Sequence, residues 1–143
     1  MPDQTLVLDD RLLIEELLVG LGRSGDLHTT AYWYYRACRA AVVGAGGHLS
    51  GPFVSLDPPQ QAAAIRSLLV LREDVGLPDP RATVPVMAEL SERHPRLNLL
   101  NLEAAASASV LQATVLLSTQ ASEGVLPEVL DAEGIGWEIV PLA

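Results

Sequence analysis

The sequence predicts one α/β domain: a central, mostly parallel sheet of about four strands, with helices on both faces in three layers. Short apolar runs alternate along the chain with longer segments of helical spacing. That alternation favours parallel strands joined by right-handed helical crossovers. The 143 residues are the usual length of one domain, so we expect a single domain over residues 1–143.

The chain begins with a predicted strand and two predicted helices. Thr5–Leu8 is a short apolar run that stops at Asp9, after which leucines recur at helical spacing as far as Leu21. Glycines then end this first helix. Residues 29–30 are a Thr-Thr pair that suits the start of a second helix, which we expect to extend to about Val43.

The middle of the chain predicts a second strand and two more helices. Phe53–Leu56 has three apolar residues of four and is a strand candidate. Residues 57–60, Asp-Pro-Pro-Gln, combine a capping residue, a proline in the first turn and a glutamine at the third helical position, which predicts a helix start. We expect a loop over Glu73–Pro80 and a short helix over Val84–Arg93.

The last third of the chain predicts a central helix and two further strands. Leu99–Gln112 is rich in Ala, Ser and Leu with apolar or small residues on nearly every side, so we expect this helix to be buried. Thr114–Leu117 predicts a strand, Ser122–Asp131 an amphipathic helix, and Trp137–Val140 a final strand.

Functional residues of a parallel sheet are expected at the carboxyl ends of its strands. In this sequence those ends present Asp9, Asp10, Asp57 and the segment 118–120, Ser-Thr-Gln. Asp9 and Asp10 are suited to a divalent cation, because hard cations prefer several carboxylate oxygens in a water-accessible cleft. They are equally suited to capping the helix that follows, and Asp57 has the neighbours of a pure helix cap.

Glu103 is the only ionisable group in a long stretch that otherwise predicts a buried helix. Two interpretations remain open from the sequence. Glu103 shares a metal ion with Asp9, or it faces solvent near the helix N-terminus, where negative charge is favourable.

Every tyrosine of the chain falls between residues 32 and 35, followed by Arg36 and Arg39. Tyr32, Tyr35, Arg36 and Arg39 lie on one side of the predicted helix at three- and four-residue spacing. The pattern is compatible with core packing, with a protein interface rich in aromatic and arginine side chains, or with stacking on single-stranded bases.

The composition limits the possible functions. The formal net charge is -9 and the chain has no lysine, so it lacks the overall positive field that favours nucleic acid. Binding of RNA would therefore need a local arginine cluster or a bound cation.

Cys38 is the only cysteine, which excludes an internal disulfide, and the three histidines lack the spacing of a zinc site. We find no signal sequence and no apolar run long enough to span a membrane, and expect a cytoplasmic protein.

The order of these elements resembles the PIN domain. The resemblance is carried by Leu6-Val7-Leu8-Asp9-Asp10 at one end, and by residues 101–108 leading into residues 113–118 at the other. VapC-like toxins of bacterial toxin–antitoxin pairs are similar to the chain in size. The resemblance implies a fold whose acidic residues hold Mg²⁺ or Mn²⁺ for cleavage of RNA.

Carrying the acids of this family over to the chain leaves most positions without a carboxylate. Asp9 matches the first aspartate, the second acid falls near Tyr34 or Tyr35, and the third falls on Asn101, with Glu103 two residues later as a possible substitute. The fourth acid of the family follows the next strand, and here its position falls on Thr119 or Gln120.

The sequence therefore favours a PIN-like domain with a degenerate metal site that acts as a binding or regulatory module. Its partner would be a second copy of the chain or a small antitoxin-like protein, and Mg²⁺ or Mn²⁺ is expected as a cofactor only if the site is catalytic. The first alternative is a ribonuclease with Mg²⁺ or Mn²⁺ held by Asp9, Asp10 and Glu103, where Asn101 and Ser118 position water or phosphate. The second alternative is a homodimeric interaction module. Its interface residues are Tyr32, Tyr35, Arg36 and Arg39.

Overall fold

The computed structural model describes residues 4–43 and 51–142, and within them it contains a four-stranded parallel sheet. The strands are β1 (Thr5–Leu8), β2 (Asp26–His28), β3 (Thr114–Leu117) and β4 (Trp137–Ile139). Their order in the sheet is β2-β1-β3-β4, and all three pairings are parallel. The two four-residue strands, β1 and β3, lie at the centre of the sheet.

Seven α-helices flank the sheet in the described residues, together with a 3-10 helix at Ala121–Glu123. They are α1 (Asp10–Leu18), α2 (Ala31–Val43), α3 (Gly51–Val54), α4 (Pro58–Leu69), α5 (Pro80–Arg93), α6 (Leu99–Leu111) and α7 (Leu126–Ala132).

Alternate residues of the central strands supply two separate hydrophobic cores, because successive side chains of a strand point to opposite faces. Leu8 and Leu116 pack on one face with residues of α1, α2 and α4. Val7 and Val115 pack on the other face with residues of α5, α6 and α7. Since these strand side chains are fully buried, the sheet is the middle of three layers. The α/β fold class predicted from the sequence is confirmed.

The prediction of a strand at Phe53–Leu56 was wrong. Residues Gly51–Val54 form the short helix α3, and the strand missing from the prediction is β2, at Asp26–His28. A run of four residues with three apolar side chains does not distinguish a short helix from a strand. β2 has only one apolar residue, Leu27, and forms because β1 offers it a parallel partner with Leu6 opposite Leu27.

Helix boundaries differ from the prediction at two places. α5 begins at Pro80 rather than Val84, because Asp79 accepts a hydrogen bond from the backbone of Arg81 and a proline suits the first turn. The segment predicted as one helix over Ser122–Asp131 is a 3-10 turn followed by α7. The other main elements lie within a few residues of their predicted positions, and Asp57 forms the capping box expected of it.

Candidate functional site

Asp9 lies at the carboxyl end of β1 and joins that strand to two other elements. Its Oδ1 accepts a hydrogen bond from the backbone N–H of Leu12 at 2.8 Å and so caps α1. Its Oδ2 accepts from both the backbone N–H and the hydroxyl of Ser118, each at 2.7 Å, just beyond β3. Both residues are buried. We call Asp9, Ser118 and the Leu12 amide the buried junction, since they connect the two central strands and α1.

Asp10, the next residue, pairs instead with a side chain from another helix. Its Oδ2 lies 3.1 Å from Nε of Arg36 on α2, and its Oδ1 accepts a hydrogen bond from the backbone of Arg11 at 2.8 Å. Burial, aided by the negative charge of Asp9, raises the pKa of Asp10 from 3.8 to about 6, while the positive charge of Arg36 opposes the rise. With this pKa, the carboxyl group of Asp10 is mostly ionised at pH 7 and takes up a proton as the pH falls through about 6.

Asp10 and Arg36 line a cavity of about 240 Å³ near the carboxyl ends of the central strands, which we call the cleft. Asn101 of α6 and Gln120, three residues beyond β3, contribute two amide groups to its lining. Polar side chains from four separated segments of the chain thus converge here. The remaining lining residues are Trp33, Leu100, Ala121, Gly124 and Leu126.

Glu103 does not line the cleft, and it does not face solvent as one interpretation of the sequence expected. It is buried, and its two carboxylate oxygens accept hydrogen bonds from the backbone N–H groups of Ala31 and Tyr32, at 3.1 and 2.8 Å. These are the first two helical residues of α2, and Thr30 accepts a third bond from Trp33 at 3.0 Å. Glu103 therefore satisfies free amides at the positive end of a neighbouring helix.

The aromatic and arginine residues of α2 divide between the core and the surface. Tyr32 is 41% exposed and Tyr35 is 62% exposed, and Arg36 and Arg39 are exposed as well. Trp33, which also lines the cleft, is buried. Core packing is therefore excluded for these four residues, which we call the α2 stripe, and they are open to an interaction.

The family's second acid, placed by resemblance near Tyr34 or Tyr35, has no counterpart in the lining of the cleft. The Tyr34 hydroxyl donates to the backbone carbonyls of Leu68 and Leu69, at 2.9 and 3.1 Å, near the end of α4. The α2 side chains that line the cleft are Trp33 and Arg36. The sequence predicts Arg36 as an interface residue only. Its spacing of 26 residues from Asp10 carries no signal of their contact.

The donors present in the cleft do not fit a hard divalent cation. In the parts of the chain that the structure describes, no three His, Cys, Asp or Glu side chains come together in a way that could hold a metal ion. Of the carboxylates predicted as ligands, Asp9 belongs to the buried junction, Glu103 caps α2, and Asp10 faces the guanidinium of Arg36. Mg²⁺ and Ca²⁺ sites depend on carboxylate oxygens that offset the cost of removing water from the ion.

No helix in residues 4–43 and 51–142 is both long enough and apolar enough to cross a membrane.

No protein-family model matches the chain, and no curated protein matches it in sequence. Among solved structures, a chain in the structure of VapBC-1 from nontypeable Haemophilus influenzae is similar to it, with a TM-score of 0.54. The match covers 95% of this chain and 98% of the other at 16% sequence identity. At this identity the likeness concerns the fold alone, and it supports the PIN-like architecture expected from the sequence.

Proposed function

We propose that this chain is a PIN-like domain that acts by binding a protein partner, with a cleft that does not carry out metal-dependent hydrolysis. The observation behind the proposal is the pairing of Asp10, the only carboxylate that the described residues contribute to the lining of the cleft, with Arg36 at 3.1 Å. The pair brings one negative and one positive charge to the cleft, and the amides of Asn101 and Gln120 are neutral. A site with no net negative charge has low affinity for a divalent cation, because its ligands do not offset the cost of removing water from the ion.

The α2 stripe is the surface that we propose for the partner. Tyrosine and arginine are enriched among the residues that contribute most to protein interfaces, because they combine a large apolar area with hydrogen-bonding groups. Arg39 has no ion pair among the described residues, so its charge is available to a partner. The resemblance to VapC-like toxins and the likeness to VapBC-1 favour a small antitoxin-like protein, and a second copy of the chain is the other occupant.

The metal half of the proposal is tested by calorimetric titration of Mn²⁺ into the wild type and into Asp10→Asn. We expect neither protein to show saturable binding. Saturable binding by the wild type that disappears in Asp10→Asn would contradict the proposal and support the alternative of a Mg²⁺- or Mn²⁺-dependent ribonuclease. RNA cleavage with the same dependence on Asp10 would then identify the activity.

The binding half is tested with Tyr35→Ala and Arg39→Ala. Sedimentation velocity reports self-association of each variant, and co-purification with the small protein encoded beside this chain, where one exists, reports the heteromeric complex. Arg81→Ala is a matched control, since Arg81 is exposed on α5 and also lacks an ion pair in the described parts of the chain. We expect the α2 variants to lose the complex and Arg81→Ala to keep it. Equal behaviour of all three variants would remove the α2 stripe as the interface.

A further inference from the structure

Arg36 neutralises the carboxylate of Asp10, whose other hydrogen bond among the described residues comes from the backbone of Arg11. The side chain of Asp10 is only 6% exposed, whereas that of Arg36 is 46% exposed, so the guanidinium reaches from solvent to a buried negative charge. A buried carboxylate is destabilised by the loss of its water and needs a nearby positive charge or hydrogen-bond donors. In this site the positive charge is supplied by the protein itself.

The geometry of the pair is close to that of two ligands of a metal ion. Nε is the fourth atom of the arginine side chain after Cα, and Oε is the fourth atom of a glutamate side chain. A glutamate at this position would therefore place an oxygen near the present Nε, which lies 3.1 Å from Asp10 Oδ2. Two adjacent oxygen ligands of an octahedral Mg²⁺, each at roughly 2.1 Å, are separated by about 3 Å.

The rest of the cleft contains groups that a hard cation accepts. Asn101 and Gln120 line the same cavity and carry amide oxygens. What differs from a cation site is the charge: Asp10 and Arg36 sum to zero, whereas two carboxylates would sum to -2. The identity of one residue therefore decides the sign of the potential in the cleft.

We propose that Arg36 is a built-in cation, which neutralises Asp10 and excludes divalent metal ions from the cleft. The inference rests on the proposed function, because it explains how the cleft of a domain that acts by binding a partner would exclude a divalent metal ion. It adds that the exclusion of divalent metal ions depends on the side chain of Arg36 alone and is reversed when its guanidinium is removed.

The experiment is a titration of Mn²⁺ alone, followed by electron paramagnetic resonance of the free ion, into the wild type, Arg36→Glu and Arg39→Glu. Both substitutions replace one positive by one negative charge on α2 and take the formal net charge from -9 to -11, but only Arg36 lines the cleft. We expect Arg36→Glu to bind Mn²⁺ at least about tenfold more tightly than Arg39→Glu, because ligand charge sets the affinity of such sites.

A second readout separates specific binding from a general attraction of cations. Mn²⁺ should raise the melting temperature of Arg36→Glu, reversibly with EDTA, because a ligand that binds only the folded state stabilises it. Adding Asp10→Asn to Arg36→Glu should abolish both effects. If Arg36→Glu does not fold, as judged by circular dichroism, Arg36→Gln replaces it, and Mn²⁺ binding that requires Asp10 is again expected.

The outcomes distinguish this inference from the proposed function. Equal Mn²⁺ affinity of Arg36→Glu and Arg39→Glu, or binding that survives Asp10→Asn, overturns the inference and leaves the proposed function in place. Saturable binding of Mn²⁺ by the wild type overturns the proposed function itself.

Discussion

The buried junction and the cleft are built from neighbouring residues, yet their carboxylates have different surroundings. Asp9 is fully buried and accepts hydrogen bonds from two elements, at distances of 2.7 to 2.8 Å. Asp10 pairs with a partly exposed guanidinium and lines a cavity. Asp9 is an N-cap with extended backbone, whereas Asp10 is already helical, so the two side chains leave the chain in different directions. Adjacent aspartates at a helix start can thus divide between a buried structural contact and the lining of a cavity.

The largest expected effect concerns the buried junction. Asp9→Ala should lower the free energy of unfolding by about 2 to 5 kcal/mol, because α1 loses its cap and a buried N–H of Ser118 loses its acceptor. Urea denaturation measures the loss. Asp57→Ala is the matched control, since Asp57 caps α4 with the same chemistry but is exposed, and should cost only about 1 kcal/mol. Equal losses would mean that the contact with Ser118 contributes nothing.

In the cleft, removing the negative charge of Asp10 should increase the free energy of unfolding, whereas removing Asp9 decreases it. The folded protein keeps the proton of Asp10 up to a pKa of about 6, whereas the unfolded chain releases it near 3.8. Stability therefore falls as pH rises from about 4 to about 6 and then stays level. Asp10→Asn should abolish this fall and stabilise the protein by roughly 2 to 3 kcal/mol at pH 7, since one pKa unit corresponds to about 1.4 kcal/mol. Unfolding curves at pH 4, 5, 6 and 7 measure the change.

Glu133, which does not line the cleft, provides a control in which the pKa shift has the opposite direction. Hydrogen bonds from Arg93 and His94 lower its pKa from 4.5 to about 2. Its contribution to stability is therefore present above about pH 4.5 and lost as pH falls toward 2. Glu133→Gln should be destabilising at pH 7. A variant of Asp10 that also loses stability at pH 7 would show that the ion pair with Arg36 outweighs the cost of burial.

A smaller effect is expected at Glu103, the carboxylate that caps α2 from another helix. Glu103→Gln keeps an acceptor oxygen but loses the charge at the helix N-terminus, so we expect a loss of about 1 kcal/mol. Glu103→Ala should cost more, because Ala31 and Tyr32 both lose their acceptor. Faster hydrogen exchange of these two amides measures the local effect. Unchanged exchange in Glu103→Ala would rule out the capping role.

The smallest effect on stability is expected on the α2 stripe. Tyr35→Ala and Arg39→Ala should change the free energy of unfolding by no more than about 0.5 kcal/mol, because exposed side chains without buried contacts contribute little. Thermal unfolding measures this. A much larger loss in either variant would show that the residue supports the fold, and its effect on partner binding would then no longer identify an interface.

Much of the candidate site could be predicted from sequence position. The strand-to-helix transition at residues 8–10 placed Asp9 and Asp10 at the carboxyl end of a strand, and Asn101 was assigned to the site through the family resemblance. The partner of each carboxylate could not be predicted, because Asp10 and Arg36 lie on different helices and Asp9 and Ser118 on segments 109 residues apart. The sequence does not distinguish Gln120 from Thr119 as the cleft residue, because the turn after β3 decides which of the two side chains lines the cavity.

The sequence by itself determined the fold class, the central strands and most helices, because hydrophobic periodicity and capping residues act over short stretches of chain. It also determined that Tyr32, Tyr35, Arg36 and Arg39 of α2 share one face. Tertiary structure alone decided that β2 rather than Phe53–Leu56 completes the sheet, that Glu103 caps α2, and that Arg36 faces Asp10. The reason is physical: a strand of three residues and a buried charge are each stabilised by a partner distant in sequence, and local pattern contains no information about that partner.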